Sequence, residues 1–82
     1  MDVQQEVLQA LDEALSLRGR ALGFTRETNL LGDLPELDSM AVVTVITTLE
    51  DRFGIVVDDD DIDGQTFATV GSLADFVQSK LG

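Results

Sequence analysis

Residues 37–54 read LDSMAVVTVITTLEDRFG, and this stretch decides the fold. It starts with Asp38 and Ser39, either of which can cap a helix by accepting a hydrogen bond from a first-turn N–H group. It ends with Gly54, which stops helices because glycine readily adopts the left-handed conformation. The β-branched residues in the middle also suit a strand, but the cap, the stop and the spacing of three to four favour a helix. The predicted buried face comprises Met40, Val42, Val43, Ile46, Leu49 and Phe53.

Further helices are predicted on both sides of this segment. Apolar residues at helical spacing predict a first helix over roughly residues 2–17. Thr69 is placed to cap a last helix, and Lys80 lies in its final turn, where the helix dipole favours a cation. The acidic block at residues 58–63 predicts a short third helix of about one or two turns. The sequence therefore predicts an all-α fold in a single domain, residues 1–82.

A long connection links the first two helices. Residues 18–37 lose any regular period and collect glycine, asparagine and proline, which favour turns. Because this loop exceeds the usual length of a connection in a compact domain, we expect it to be functional or held against the core. The candidate anchoring residues are Leu22, Phe24, Leu30, Leu31, Leu34 and Leu37.

Composition excludes several classes of function. The 82 residues carry a net charge of −11 and include no cysteine and no histidine. Without cysteine there is no disulfide, no thiolate nucleophile and no thiolate metal site. Without histidine, cysteine or tyrosine a conventional hydrolase or transferase lacks a base beside its nucleophile, so we expect no catalytic site. The charge repels nucleic acid and suits protein partners with basic patches, although solubility alone also explains it.

The chain shows no targeting or membrane pattern. Residues 1–10 lack the basic stretch and apolar run of a signal peptide. No segment approaches the eighteen or so apolar residues of a membrane span. We therefore expect a cytoplasmic protein. We also expect it to be a monomer.

The acidic block also allows a calcium interpretation. Asp59, Asp61, Asp63 and Gly64 match the opening of an EF-hand loop. The twelfth position, which must supply a bidentate carboxylate, is Val70 instead. We expect no metal site, and an acidic calcium-binding or adaptor module remains the alternative function.

Ser39 is the strongest candidate for a modified residue. It lies where the long loop becomes a helix, and a helix N-terminus stabilises a negative group such as a phosphodiester. The alternative is that Asp38 and Ser39 only cap the helix, a common role for both residue types.

Several separate stretches carry a family resemblance. They are Leu30 and Leu31 ahead of Asp33, the Leu37–Met40 run, residues 49–55 (LEDRFGI), and residues 67–73 (FATVGSL) followed by Phe76 and Val77. In order and spacing, the sequence resembles the acyl and peptidyl carrier protein family over essentially its full length.

This resemblance implies a four-helix bundle of the acyl-carrier type with a long first loop and a short third helix. It also implies that Ser39 carries a covalent 4′-phosphopantetheine, attached by a phosphopantetheinyl transferase that uses coenzyme A. Asp38 and Met40, on either side of Ser39, are the other expected cofactor-binding residues. The thiol of that arm would hold an acyl or aminoacyl group as a thioester, which explains thioester chemistry in a protein without cysteine. The residues expected to line the acyl chain are Val43, Ile46, Ile62 and Phe67.

The resemblance further implies recognition by basic partner enzymes through acidic side chains. The matching residues are Glu50, Asp51, Asp58, Asp59, Asp60 and Asp61. The expected partners are the transferase, an acyl-loading ligase or acyltransferase, and a synthase. Ala41 and Thr44 stand where fatty-acid carriers are often acidic, so we expect a dedicated pathway, of fatty acid, polyketide or nonribosomal peptide biosynthesis.

Overall fold

Three α-helices form the framework of the protein. The computed structural model describes residues 2–35, 37–62 and 64–81, and for Asp59 the backbone alone. The helices are α1 (Val3–Leu15), α2 (Ser39–Phe53) and α3 (Val70–Leu81). Both α2 and α3 pack on α1. The described residues contain no β-strand, only an isolated bridge between Asn29 and Thr69, so the all-α prediction is confirmed.

The predicted short third helix is a single turn. Asp59–Asp61 forms one 3-10 turn, closed by the N–H of Asp61 donating to the carbonyl of Asp58 at 2.9 Å. Aspartate is a poor helix former, and neighbouring carboxylates repel one another, so the block does not extend into an α-helix. Within the described ranges the fold therefore contains three α-helices, this turn and a second short 3-10 helix, Arg20–Gly23, in the long loop. A fourth α-helix is not confirmed.

The predicted first helix ends two residues early. Ser16 adopts the left-handed conformation (φ 53°), and the N–H of Leu17 bonds back to the carbonyl of Asp12 at 3.0 Å. The Asp12 carboxylate then receives the N–H groups of Gly19 and Ala21 at 2.7 and 3.3 Å. Asp12 thereby directs the chain out of α1 and into the long loop.

The ends of α2 agree with the prediction, but its orientation differs in part. Asp38 caps the helix and Gly54 ends it with φ 66°. Met40 and Val43, predicted on the buried face, are 79% and 62% exposed, whereas Val45 is fully buried. Val43 precedes the buried Leu49 by six residues, which at about 100° per residue places it about 120° away around the helix. It therefore cannot share that buried face.

The long loop is held mainly by backbone hydrogen bonds to residues 67–71, which run into the first turn of α3. The N–H groups of Leu30 and Leu31 donate to the carbonyls of Ala68 and Phe67 at 2.9 and 3.0 Å. Arg26 adds an ion pair to Asp75, in which its Nη2 donates to both carboxylate oxygens, at 3.1 and 3.0 Å. Of the six predicted anchors, Leu30 and Leu37 are buried, Phe24 and Leu34 are half-buried, and Leu22 and Leu31 are exposed.

Thr69 and Ser72 cap α3 reciprocally, each backbone N–H donating to the other's hydroxyl at 3.1 Å. This confirms the predicted cap. No helix in the described part of the chain combines the length and apolar character that crossing a bilayer requires.

Candidate functional site

The hydroxyl of Ser39 is exposed and takes no part in capping. Ser39 is the first residue of α2 and is solvent-exposed. Among the residues that the structure describes, its hydroxyl has no hydrogen-bond partner. Of the two predicted caps, only Asp38 performs that function: its carboxylate accepts the N–H of Ala41 at 2.8 Å. The Ser39 hydroxyl is thus available for chemistry at the positive end of a helix dipole.

The predicted recognition residues divide into two groups. The carboxylate of Glu50 is half-buried and accepts the N–H of Val57 at 3.0 Å, which holds the chain after α2. Asp61 is paired with Lys80, as described below. Asp51, Asp58 and Asp60 are exposed, whereas the side chain of Asp59 lies outside the described atoms. Glu50 and Asp61 therefore have structural partners that the sequence reasoning missed.

Lys80 joins the last turn of α3 to the acidic block. Its Nζ lies 2.6 Å from Oδ2 of Asp61 and 5.8 Å from the centre of the Phe76 ring. The same carboxylate oxygen accepts the N–H of Asp58 at 3.1 Å. The hydrogen bond from Lys80, followed by that backbone N–H, lowers the pKa of Asp61 below its usual 3.8.

Acidification is expected to break the ion pair between Lys80 and Asp61 only at a pH below the usual pKa of aspartate. A lowered folded-state pKa means that the pair stabilises the fold above pH 3.8 and loses its contribution as pH falls through the lower folded value. The Asp61 carboxyl carbon, followed by NMR, should titrate below 3.8 in the wild type and move back toward 3.8 in Lys80→Gln. Equal midpoints in the two proteins would show that Lys80 does not act on Asp61 in solution.

The four predicted lining residues differ in their exposure to solvent. Phe67 is buried, and Ile46 and Ile62 are half-buried against the core. Val43 points away from them, since it is exposed on the outer side of α2. Two open clefts of about 360 and 200 Å³ are lined by other residues. The prediction that Val43 lines the interior is therefore wrong, because Val43 is a surface residue.

The acidic block forms no metal site in the described atoms. No group of three or more potential ligands was found there. Asp63, part of the EF-hand match, lies outside the described residues.

Comparison with known proteins identifies the family. Residues 5–77 match the family described as "Phosphopantetheine attachment site". The chain belongs to this family of phosphopantetheine-attachment domains. It is 32% identical to an acyl carrier protein of Exiguobacterium sp., covering 99% of this chain and 91% of that protein. It is 36% identical to an acyl carrier protein of Thermotoga maritima, covering 71% of this chain and 68% of that one.

A solved structure of an acyl carrier protein has the same fold as this chain. The holo acyl carrier protein of Nitrosomonas europaea, determined by solution NMR, superposes with a TM-score of 0.90 at 52% identity, covering 99% of this chain and 98% of that one. As a phosphopantetheine-attachment domain, the chain functions as an acyl carrier with a covalently attached 4′-phosphopantetheine. The residues present fit such a group, because the exposed Ser39, whose hydroxyl has no hydrogen-bond partner in the described part of the chain, lies at a helix N-terminus, which favours a phosphodiester.

Proposed function

We propose that Ser39 is the residue that carries the 4′-phosphopantetheine arm, and that the chain presents acyl or aminoacyl intermediates on it to the enzymes of a dedicated biosynthetic pathway. The observation that carries this proposal is that Asp38, and not Ser39, caps the start of α2. Asp38 caps the helix, which leaves the Ser39 hydroxyl exposed and without a partner among the described residues. A serine needed for capping would have its oxygen occupied by a first-turn N–H group.

The role of this chain in attachment is to present a nucleophile. The Ser39 Oγ would attack the pantetheine-side phosphorus of the coenzyme A pyrophosphate. The bond from that phosphorus to the bridging oxygen would break, the nucleotide would leave with the other phosphate, and the serine proton would pass to a base on the transferase. The phosphodiester then lies at the N-terminus of α2, where the helix dipole offsets its negative charge. The arm supplies the thiol that holds the acyl group as a thioester.

Catalysis is assigned to the partner enzymes. The chain contains no histidine, cysteine or tyrosine to serve as a base or a second nucleophile. We place the carrier function in one domain, residues 1–82, working as a monomer in the cytoplasm. Its partners are a phosphopantetheinyl transferase, an acyl-loading ligase or acyltransferase, and a synthase.

Three exposed carboxylates are proposed to attract the basic patches of these enzymes, and they are Asp51, Asp58 and Asp60. Long-range attraction of this kind raises association rates more than it raises affinity. Glu50 and Asp61 are proposed to act mainly through their internal contacts, with the N–H of Val57 and with Lys80. Asp59 is proposed as a further recognition residue on the basis of the sequence alone.

The direct test is the intact mass of the protein after incubation with coenzyme A and a broad-specificity phosphopantetheinyl transferase. We expect a gain of one phosphopantetheinyl group. Fragmentation of the proteolysed product should place that group on the peptide containing Ser39, and not on those containing Ser16, Ser72 or Ser79. A gain on another peptide would disprove the assignment of Ser39, and no gain would disprove the carrier function.

A further inference from the structure

Residues 58–61, which we call the acidic turn, are anchored at both ends by side chains from helices. Just before the turn, the carboxylate of Glu50 in α2 accepts the N–H of Val57 at 3.0 Å. At its last residue, Nζ of Lys80 in α3 lies 2.6 Å from Oδ2 of Asp61. The acidic turn is therefore attached to α2 on one side and to α3 on the other.

One carboxylate oxygen of Asp61 both closes the acidic turn and binds Lys80. The N–H of Asp61 donates to the carbonyl of Asp58 at 2.9 Å, and the N–H of Asp58 donates to Oδ2 of Asp61 at 3.1 Å. The same Oδ2 accepts a hydrogen bond from Lys80. The shape of the turn and its attachment to α3 thus depend on a single side chain, and Lys80 fixes where that side chain lies.

The side chain of Lys80 is itself held against α3. Its Nζ lies 5.8 Å from the centre of the Phe76 ring, within the range of a cation–π interaction, and Phe76 packs against the core. The side chains of Lys80 and Asp61 are 29% and 32% exposed, so salt screens this pair less than a fully exposed one. Asp58 and Asp60, in contrast, are exposed and open to a partner.

We propose that Lys80 is a positioning residue, which holds Asp61 and thereby fixes the orientation in which Asp58 and Asp60 meet the basic patch of a partner enzyme. This inference rests on the proposed function, in which those two carboxylates attract partners. Lys80 acts through Asp61 and not by touching the partner. A turn released from α3 would present the same charges in many orientations, and ordering them on binding would cost conformational entropy. The pair with Asp61 removes that cost before the partner arrives.

The charge of Lys80 gives this inference a sharp test, because positioning and net charge predict opposite results. Lys80→Gln takes the net charge of the chain from −11 to −12. Long-range attraction alone therefore predicts faster association with a basic enzyme and an equal or lower KM. Loss of positioning predicts that KM for the carrier, in steady-state transfer by a phosphopantetheinyl transferase, rises about 2–5-fold with kcat little changed. Intact mass follows the transfer.

Two control variants isolate the role of Lys80. Arg26→Gln brings the same change in charge and also removes an ion pair to α3, the one with Asp75 at 3.0 Å, but that pair holds the long loop. Its KM should equal that of the wild type or fall. Lys80→Arg keeps the cation beside Asp61, and its KM should stay within about twofold of the wild type.

Hydrogen exchange of the unmodified proteins, followed by NMR, measures the turn directly. The N–H groups of Asp58 and Asp61 should exchange at least about threefold faster in Lys80→Gln and at the wild-type rate in Arg26→Gln, because only the first change releases the acidic turn. The urea midpoint of Lys80→Gln should stay close to that of the wild type, which separates local release from unfolding. In an Asp61→Asn background, Lys80→Gln should raise KM no further, since the pair acts as a unit.

The outcomes distinguish this inference from the proposed function. An equal or lower KM in Lys80→Gln, as in Arg26→Gln, would overturn positioning and leave Lys80 as one charge among others. A raised KM in both Lys80→Gln and Lys80→Arg would overturn it in favour of a direct contact between the lysine and the enzyme. Unchanged exchange at Asp58 and Asp61 in Lys80→Gln would show that the acidic turn does not depend on Lys80. Absence of any mass gain in the wild type would remove the proposed function, and this inference with it.

Discussion

Ser39→Ala is expected to abolish attachment of phosphopantetheine while leaving the free energy of unfolding within about 0.5 kcal/mol of the wild type. Attachment requires the hydroxyl oxygen, and alanine has none. Stability is retained because the Ser39 hydroxyl contacts no described partner, and alanine is the best helix former. Intact mass after incubation with the transferase measures the first effect, and urea denaturation of the unmodified proteins measures the second.

Asp38→Ala is the reciprocal variant, because it removes the cap and keeps the nucleophile. Loss of the bond from the Ala41 N–H to the Asp38 carboxylate should cost about 1 kcal/mol. The product should still reach the full mass gain at completion. A stable Asp38→Ala together with a destabilised Ser39→Ala would show that Ser39 is the cap, and it would remove the main support for its role as the attachment residue.

Both ends of α2 and the start of α3 were predictable because their signals are local. Asp38, Gly54 and Thr69 each act on backbone groups within four residues, so the chemistry that starts or stops a helix is visible in a short stretch of sequence. The position of Ser39 at the start of α2 follows from the same signals. The place of Ser39 in the fold was therefore predictable from sequence, whereas its role as the attachment residue stays a prediction.

The orientation of α2 was harder to predict for a physical reason. Valine occurs at positions 42, 43 and 45, so apolar side chains surround much of the helix and do not mark one face. In the structure α2 packs on α1, and Val45 is buried whereas Val43 is exposed. Spacing counted from Leu49 distinguishes the two valines, because Val45 lies four residues before it and Val43 lies six. Spacing of three or four between any two apolar residues does not distinguish them.

The contacts between distant segments were not predictable from pattern. Asp61 pairs with Lys80, which lies in another element, and Glu50 binds a backbone N–H that carries no sequence signal. Sequence therefore showed where negative charge accumulates but not which carboxylates have internal partners. The same limit applies to the long loop, where backbone bonds to residues 67–71 do much of the anchoring.

The two valines of α2 provide a stability prediction with an internal control. Val45→Ala is expected to lower the free energy of unfolding by about 2 kcal/mol, because Val45 is fully buried and the change removes about two methylene groups and leaves a cavity. For a domain of this size that corresponds to a melting temperature about 8–16 °C lower. Val43→Ala, at a 62% exposed position, should change the free energy of unfolding by less than about 0.5 kcal/mol.

The comparison isolates burial, because both changes replace valine with alanine inside the same helix and bring the same gain in helix propensity. Urea denaturation should show a lower midpoint for Val45→Ala with an unchanged slope, since neither variant alters the surface exposed on unfolding by much. Equal losses at the two positions would mean that Val43 is packed in solution and that α2 is rotated from the orientation described.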